Sequence, residues 1–224
     1  KFDKQFKDFT IKYSDLKGKN FGIEGKINLH DLFIKIPNLN YSKEENIKAD
    51  LDFDIRGSKF GYDIYHLLYF SEKSKIKFDQ IYINKKLEIK DIKNIKVTTF
   101  NNNIKNNNFH IGKHETLKNT IFVVGELLDA EPLLKSLYKT NDKKTFSKDF
   151  NSEIKVNLDK AITGTEDNVS DFSMIASIKK GSYNKLSLKG NYSENEIIEM
   201  SIYQVDKNKR TLQVISDRAK PFIK

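Results

Sequence analysis

Cysteine and tryptophan are absent from this chain of 224 residues, and proline occurs only three times. The lack of cysteine excludes disulfides, thiolate metal sites and cysteine nucleophiles, but it leaves the redox compartment open. No apolar run approaches the roughly 20 residues that a membrane-spanning helix needs. The chain begins at Lys1 without a signal-like segment. We therefore expect a fragment or a processed form, in which targeting information is missing.

The residues that are abundant favour β structure. The apolar set is mainly Ile, Leu, Val, Phe and Tyr, with 16 Phe and 10 Tyr, and such side chains suit a pleated, half-buried surface. The net charge of +9 comes mostly from lysines scattered among 31 acidic residues. Because basic and aromatic residues do not cluster as they do in nucleic-acid stacking platforms, we predict no nucleic-acid partner.

Apolar and polar residues alternate along much of the chain, which is typical of strands with one dry and one solvated face. The clearest example runs from Ile47 to Ile55, where Lys48, Asp50 and Asp52 separate the apolar residues. Similar units recur about every ten residues with polar turns between them, which predicts an antiparallel meander. In the middle of the chain we place such turns at 84–86 and 91–94, and a turn or loose loop at 101–108 (NNNIKNNN).

Three segments break this alternation and are predicted as short helices. Residues 62–70 carry apolar side chains at helix-like spacing. Residues 129–138 offer Asp129 as an N-cap and Pro132 near the helix start. Residues 217–224 follow Ser216, a second candidate N-cap.

No set of residues indicates catalysis, a metal or a cofactor. His110 and His114 are four residues apart, but in a strand this spacing separates them by roughly 13 Å, and no H-E-x-x-H motif is present. Asp50, Asp52 and Asp54 alternate with apolar residues, so a salt-bridged surface is favoured over a cation site. Neither a phosphate-binding glycine loop nor a G-x-S-x-G motif occurs. We therefore predict that the chain is not an enzyme.

What remains is the apolar face of the strands, for which two interpretations stay open. It is either an ordinary core, packed against another layer, or an open groove that holds acyl chains. The candidate groove residues lie at alternating positions: Leu51, Phe53, Ile55, Ile154, Val156, Leu158, Leu186, Leu188, Ile202, Leu212 and Val214.

The C-terminal half resembles the AsmA-like C-terminal region of proteobacterial envelope proteins. In that region a strand ends in Gly and a Leu-Asp-Ala-x-Pro-Leu-Leu segment opens a helix, matched here by 124–135 (VGELLDAEPLLK). A polar linker matches 140–148, and strands follow that are similar to 153–159 (EIKVNLD) and 186–190 (LSLKG). The last match is 212–219 (LQVISDRA), after which the family has Gly where this chain has Lys220.

The resemblance implies an all-β, mainly antiparallel fold: an extended twisted sheet curled into an apolar groove, with two or three short helices. We divide the chain into an N-terminal β-meander, 1–119, and an AsmA-like segment, 120–224, which we expect to be truncated; both can belong to one continuous sheet. The implied role is to bind or conduct phospholipid between the inner and outer membranes. The implied location is the periplasm, with an inner-membrane anchor outside this chain. The alternative is a structural or assembly module of the envelope that carries no lipid.

Overall fold

One large sheet organises the chain in the computed structural model, which describes residues 9–18, 20–114, 116–117, 119–132, 146–164, 168–205 and 210–218. Thirteen strands form this sheet, and two short strands form a separate hairpin. In chain order the strands are β1 (Phe9–Leu16), β2 (Asn20–Asn28), β3 (Ile34–Ile36), β4 (Tyr41–Lys43), β5 (Asp50–Gly57), β6 (Gly61–Ser71), β7 (Ser74–Asn84), β8 (Ile89–Asn101), β9 (Ile104–Lys113), β10 (Thr120–Asp129), β11 (Ser152–Ile162), β12 (Asn168–Lys179), β13 (Ser182–Ser193), β14 (Glu196–Gln204) and β15 (Arg210–Ser216).

The strands of the large sheet follow one another in chain order, apart from the β3–β4 hairpin, which lies outside it. Every neighbouring pair is antiparallel except β10 and β11, which are parallel. The predicted antiparallel meander is therefore confirmed in its main feature. Because β9 pairs with β10 and β10 with β11, strands on both sides of residue 120 belong to the same sheet.

β-Bulges explain the first predicted helix, which is wrong. Residues 62–70 lie inside β6, opposite β5. His66 pairs with Asp54 and Ile64 with Ile55, so Tyr65 is an extra residue that leaves the ladder. A bulge changes the spacing between successive inward residues from two to three, and three is also the spacing of a helix face. This is why Ile64 and Leu67 looked helical in the sequence.

The other two predicted helices fall mainly outside the described residues. At 129–138 the described part ends at Pro132, and within it the Asp129 side chain accepts a hydrogen bond from the backbone N–H of Glu131, as an N-cap would. At 217–224 the described part ends at Arg218, and neither Asp217 nor Arg218 is helical. A 3-10 turn at Pro37–Leu39, which the sequence did not predict, does occur.

Two predicted irregular segments are mostly strand, although the second contains a short turn. Residues 91–94 lie within β8, and the asparagine tract 101–108 covers the end of β8, a two-residue turn and the start of β9. Asn102 and Asn103 adopt positive φ values of 48° and 63° in that turn. Asparagine tolerates this left-handed geometry better than most residues, and two such residues match the hairpin turn of type I′. The predicted turn at 84–86 lies at the actual β7–β8 turn.

A segment of residues 29–49, here called the hairpin cap, packs across one end of the sheet on its apolar side. It contains β3, the 3-10 turn and β4, and its buried Leu29, Tyr41 and Ala49 join the main hydrophobic core. Lys43 fixes the loop internally, because its buried ammonium donates to the carbonyls of His30, Glu44 and Ile47 at 2.9–3.1 Å. Burial lowers the pKa of Lys43.

A shorter segment, residues 146–150, crosses the opposite end of the sheet on the same side. The N–H of Ser147 donates to the carbonyl of Ile89 in β8, and the carbonyl of Phe150 accepts from Gly181 in the β12–β13 turn. The rings of Phe146 and Phe150 stack at 4.5 Å between centroids and pack into the main core. This segment therefore ties β8 to β12 across the three strands between them.

Candidate functional site

A continuous row of apolar residues crosses the large sheet, with one residue from each strand. The pairing register of all twelve strand pairs places these residues side by side. From β1 to β15 this central row is Ile11, Gly25, Phe53, Leu67, Phe78, Ile95, Ile111, Val123, Val156, Met174, Leu188, Met200 and Val214. Side chains that are paired across neighbouring strands share a face of the sheet. The central row is therefore one uninterrupted apolar band.

The structure places all the predicted groove residues on the face that carries this band. Phe53, Val156, Leu188 and Val214 belong to the central row itself. Leu51 and Leu158 lie one row nearer to the hairpin cap, through pairs such as Leu51–Tyr69 and Leu158–Phe172. The remaining members lie one row nearer to the opposite end: Ile55, Ile154, Leu186, Ile202 and Leu212.

Burial varies along and across this face. Beside the hairpin cap, Ile76 and Val97 are each only 2% exposed, as in a sealed core. In the central row Phe53, Leu67 and Val123 are half-buried, whereas Ile95, Val156, Leu188 and Met200 are buried. Every long strand among the described residues belongs to this one sheet. Among those residues, the central row can therefore be covered only by the curvature of the sheet itself, by the hairpin cap and by residues 146–150. Part of the apolar face is thus accessible to solvent, as the lining of an open groove would be.

A buried polar network attaches the hairpin cap to strands β8, β9 and β10. Asn107 is fully buried, and its amide donates to the carbonyl of Leu39 at 2.7 Å and to the hydroxyl of Thr99 at 2.9 Å. Its side-chain oxygen accepts from the backbone N–H of Asp129 at 2.9 Å. Asn40 of the cap donates in turn to the Asp129 carboxylate at 2.7 Å. Since a buried polar group without partners is costly, this network specifies one position for the cap.

Two tyrosines complete the contact between the hairpin cap and the sheet. The hydroxyls of Tyr41 and Tyr69 are 2.8 Å apart in a buried, edge-to-face pair. Burial raises the pKa of Tyr69, and the hydrogen bond with Tyr41 adds to the effect. The Tyr69 hydroxyl therefore stays protonated at neutral pH, and the pair acts as a structural contact in an apolar setting.

The opposite face of the sheet is solvated and charged, and one chain of polar contacts crosses it. His66 lies 3.7 Å from the Asp79 carboxylate, which accepts from Asn94 at 2.8 Å. Asn94 accepts in turn from Nε2 of His110 at 2.5 Å. Burial, together with nearby Lys96, lowers the pKa of His110. Lys77 also pairs with the Asp79 carboxylate, at 2.9 Å. No serine or threonine hydroxyl is bonded into this chain of contacts among the described residues, so we interpret it as a surface network.

The other candidate chemical groups also have ordinary partners. Asp52 forms an ion pair with Lys26 at 3.3 Å on the solvated face. His114 is not joined to His110; its Nδ1 accepts from the backbone of Thr116 at 3.1 Å. Within the described ranges no three His, Asp or Glu side chains converge as metal ligands.

Several residues of the central row were not among the predicted candidates. Leu67 was missed because the bulge in β6 disturbs the period of two, whereas Phe78 and Ile95 alternate with Ile76 and Val97 but were not assigned to the groove. Val123 and Ile111 carried a usable signal, since Val123 lies in a short apolar run and Ile111 alternates with Phe109. Pairing register, which no single strand reveals, is what joins them to the rest.

Comparison with known proteins gives no relative from which a role can be transferred. No family model, no curated protein and no solved structure matches this chain. In the part of the chain that the structure describes, no helix combines the length and hydropathy required to cross a membrane. Function is therefore inferred from the apolar face itself.

Proposed function

We propose that this chain binds phospholipid acyl chains along its apolar face and belongs to a non-catalytic, lipid-conducting protein of the bacterial envelope. The observation that carries the proposal is the central row, which remains apolar through every strand of the sheet. An ordinary core needs an apolar patch only where a second layer packs on it. A band that continues to both edge strands, where Ile11 and Val214 are exposed, suits an elongated ligand better.

The dimensions of the central row fit acyl chains. At a strand spacing of about 4.8 Å, a row of thirteen strands extends over roughly 55–60 Å. Half the hydrocarbon core of a bilayer is about 15 Å thick, so the row is long enough for more than one lipid. Each methylene that leaves water on such a surface contributes about 0.8 kcal/mol, and the charged opposite face keeps the sheet soluble.

The resemblance to the AsmA-like family extends this proposal to a place in the cell. By that analogy, the whole protein has an inner-membrane anchor outside this chain, and the sheet described here lies in the periplasm. The sheet would be curled into a groove, and phospholipid would pass along it between the inner and outer membranes. The central row supports the apolar lining that this analogy implies. The hydrogen bonds that residues 146–150 make to β8 and to the β12–β13 turn support curvature of the sheet toward its apolar side.

Neighbouring residues on β10 provide a direct test of lipid contact. Val123 belongs to the central row, whereas Val124 is 40% exposed on the opposite face. A photo-crosslinking side chain placed at either site is carried by the same strand at the same depth. We expect phospholipid to be captured at residue 123 and not at residue 124. Equal capture at both sites, or capture at neither, would contradict lipid binding on the apolar face.

Charged substitutions distinguish an open face from a sealed core. Phe53 is half-buried in the central row, whereas Val97 is buried beside the hairpin cap. We expect Phe53→Asp to remain folded and to lose lipid crosslinking at residue 123, because an ion in an apolar conduit costs several kcal/mol. Val97→Asp should unfold the protein.

The alternative, a structural or assembly module without lipid, is favoured by one observation. Beside the hairpin cap the apolar face is as buried as any protein interior, with Ile76 and Val97 sealed. If the whole face were such a core, Phe53→Asp would unfold the protein as Val97→Asp does, and wild-type protein would capture no lipid at residue 123.

A further inference from the structure

The two ends of the sheet differ in the charge of their turns. The end opposite the hairpin cap, here called the basic rim, consists of residues 17–18, 58–60, 85–88, 114, 116–117, 119 and 180–181, together with residues 146–150. Its exposed lysines are Lys17, Lys59, Lys85, Lys86, Lys148 and Lys180. Of the described acids there, Asp149 is already paired with Lys90 at 3.0 Å, and Glu88 accepts a hydrogen bond from Asn84.

Exposed apolar side chains project from the same rim. Phe60 is 68% exposed and Leu87 is 69% exposed, and each lies at the tip of a hairpin turn. Leu117, in the next turn on this end, is also exposed. Successive turns on one end of a meander are two strands apart, so these tips are spaced at about 10 Å along the rim. A scattered apolar residue needs no explanation, but a row of them among lysines does.

Aromatic contacts hold two of the lysines close to these tips. The Lys59 ammonium lies 4.8 Å from the centroid of the Phe60 ring, and that of Lys85 lies 4.3 Å from the Tyr62 ring. Cations in this position are attracted by the ring face. The β5–β6 and β7–β8 turns therefore each present a positive charge beside an apolar tip.

The capped end provides the contrast within the same molecule. It also exposes apolar residues, with Ile104 at 73% and Phe33 at 50%. Its turns, however, carry the exposed acids Glu44, Glu72 and Glu194. The combination of apolar tips with net positive charge is therefore confined, among the described turns, to the basic rim.

We propose that the basic rim docks on the surface of an anionic phospholipid bilayer. Lysines near such a surface are attracted by the negative headgroups, and Phe60, Leu87 and Leu117 would enter the interfacial region, as apolar side chains of peripheral proteins do. This inference rests on the proposed lipid-binding function, because the row that contains Tyr62, Ile83 and Ile89 is the part of the apolar face nearest the rim. Docking there brings that face next to the acyl layer.

The test measures flotation of the 224-residue chain with phosphatidylcholine vesicles, prepared with and without phosphatidylglycerol. We expect binding only to the anionic vesicles, and weaker binding at high salt because the charges are screened. Combining Lys59→Glu, Lys85→Glu and Lys86→Glu should lower the affinity about tenfold or more. Combining Phe60→Ser, Leu87→Ser and Leu117→Ser should lower it to a similar extent. The matched control, Ile104→Ser with Lys73→Glu, alters the capped end and should bind as the wild type does.

Other outcomes overturn the docking proposal. Equal binding to neutral and anionic vesicles, or equal losses in the capped-end control, would show that the basic rim is not the docking surface. Retention of full vesicle binding by the lysine variant, with loss of binding to a single-stranded DNA oligonucleotide, would assign the rim to nucleic acid instead.

Crosslinking at residue 123 reports separately on lipid binding by the apolar face. If the wild-type protein binds anionic vesicles through the rim but captures no phospholipid at residue 123, docking stands and the proposed function fails. If the rim variants lose vesicle binding and Phe53→Asp loses only the crosslinking, both proposals hold.

Discussion

At the scale of single residues, glycine and phenylalanine are paired across strands of this sheet. Phe21 pairs with Gly57, Phe53 with Gly25 and Phe109 with Gly125. In each pair the ring or backbone of the phenylalanine occupies the space that a glycine side chain would need. Glycine weakens a strand on its own, and an aromatic neighbour that covers it recovers packing. These pairs make room for bulky rings on the sheet.

Gly125→Ala should destabilise the protein by about 1–3 kcal/mol, because overpacking forces backbone shifts. An added Cβ at this position would lie within 2.4 Å of the Asn108 carbonyl oxygen and 2.6 Å of Phe109 Cα, both backbone atoms that cannot rotate away. The control is Gly164→Ala, since nothing lies within 4 Å of the corresponding Cβ. Denaturant unfolding gives both free energies. Equal stability of the two variants would show that β9 and β10 can separate at Gly125 without cost.

The pKa of His110 predicts how stability depends on pH. Burial and the neighbouring Lys96 lower this pKa below its usual value of 6.5, and Asp79 and His66 face the same network through Asn94. The unfolded chain therefore binds more protons at this site than the native protein does, so stability falls as the pH drops below 6.5. The Asp79 carboxylate acts in the same direction at lower pH, because hydrogen bonds from Lys77 and Asn94 outweigh burial and lower its pKa.

We expect His110→Gln to lessen the loss of stability between neutral pH and pH about 5, since glutamine does not titrate. Unfolding free energies measured across this range test it, with His30→Gln as the control at a distant exposed site. An unchanged pH profile in His110→Gln would mean that other groups produce the acid sensitivity.

At the scale of elements, alternation in the sequence predicted strand character well and strand irregularities poorly. The unit around Phe53 was recognised because Leu51, Phe53 and Ile55 keep a strict period of two. β6 was taken as a helix because the bulge at Tyr65 separates Ile64 from Leu67 by three residues. A bulge is defined by the partner strand, so the sequence of one strand alone does not reveal it.

Composition gave a wrong prediction of secondary structure where polar residues are buried. The tract at 101–108 was predicted as a loop because asparagine is enriched in turns. In the structure, Asn106 and Asn107 are buried in β9 and donate hydrogen bonds to the carbonyl of Leu39. Their partners lie more than 60 positions away in the chain. Contacts at such separation follow from the tertiary fold and leave no local pattern.

At the scale of the whole molecule, the predicted groove residues share one face because the register aligns them strand by strand. Alternation indicated which residues point the same way within each strand. It did not reveal that Phe53 in β5 and Val214 in β15 belong to the same row, since that requires every intervening pairing. The parallel β10–β11 pair and the two segments that cross the ends of the sheet also escaped prediction. They depend on long-range closure, which short-range periodicity does not encode.

The sheet contains two hydrophobic clusters of different size, and this predicts uneven stability. The main cluster includes Ile76 and lies between the hairpin cap and residues 146–150, whereas the smaller one, with Met200, lies in β12–β14. Since each strand of a meander contacts chiefly its neighbours, opening can begin at one side without global unfolding. We therefore expect amide hydrogen exchange to be slowest in β7–β10 and faster in β13–β15.

Matched cavity variants test this arrangement. Ile76→Ala and Met200→Ala each remove a large buried side chain, and such changes cost about 2–5 kcal/mol. Ile76→Ala should accelerate exchange throughout the sheet, because the main cluster holds both capping segments in place. Met200→Ala should accelerate it in β12–β15 and leave β7–β9 close to wild type, because only the smaller cluster is weakened. Hydrogen exchange read by mass spectrometry resolves these regions. Faster exchange in β7–β9 of Met200→Ala would show that the two clusters unfold as one cooperative unit. Contacts beyond those between neighbouring strands would then have to couple the two clusters.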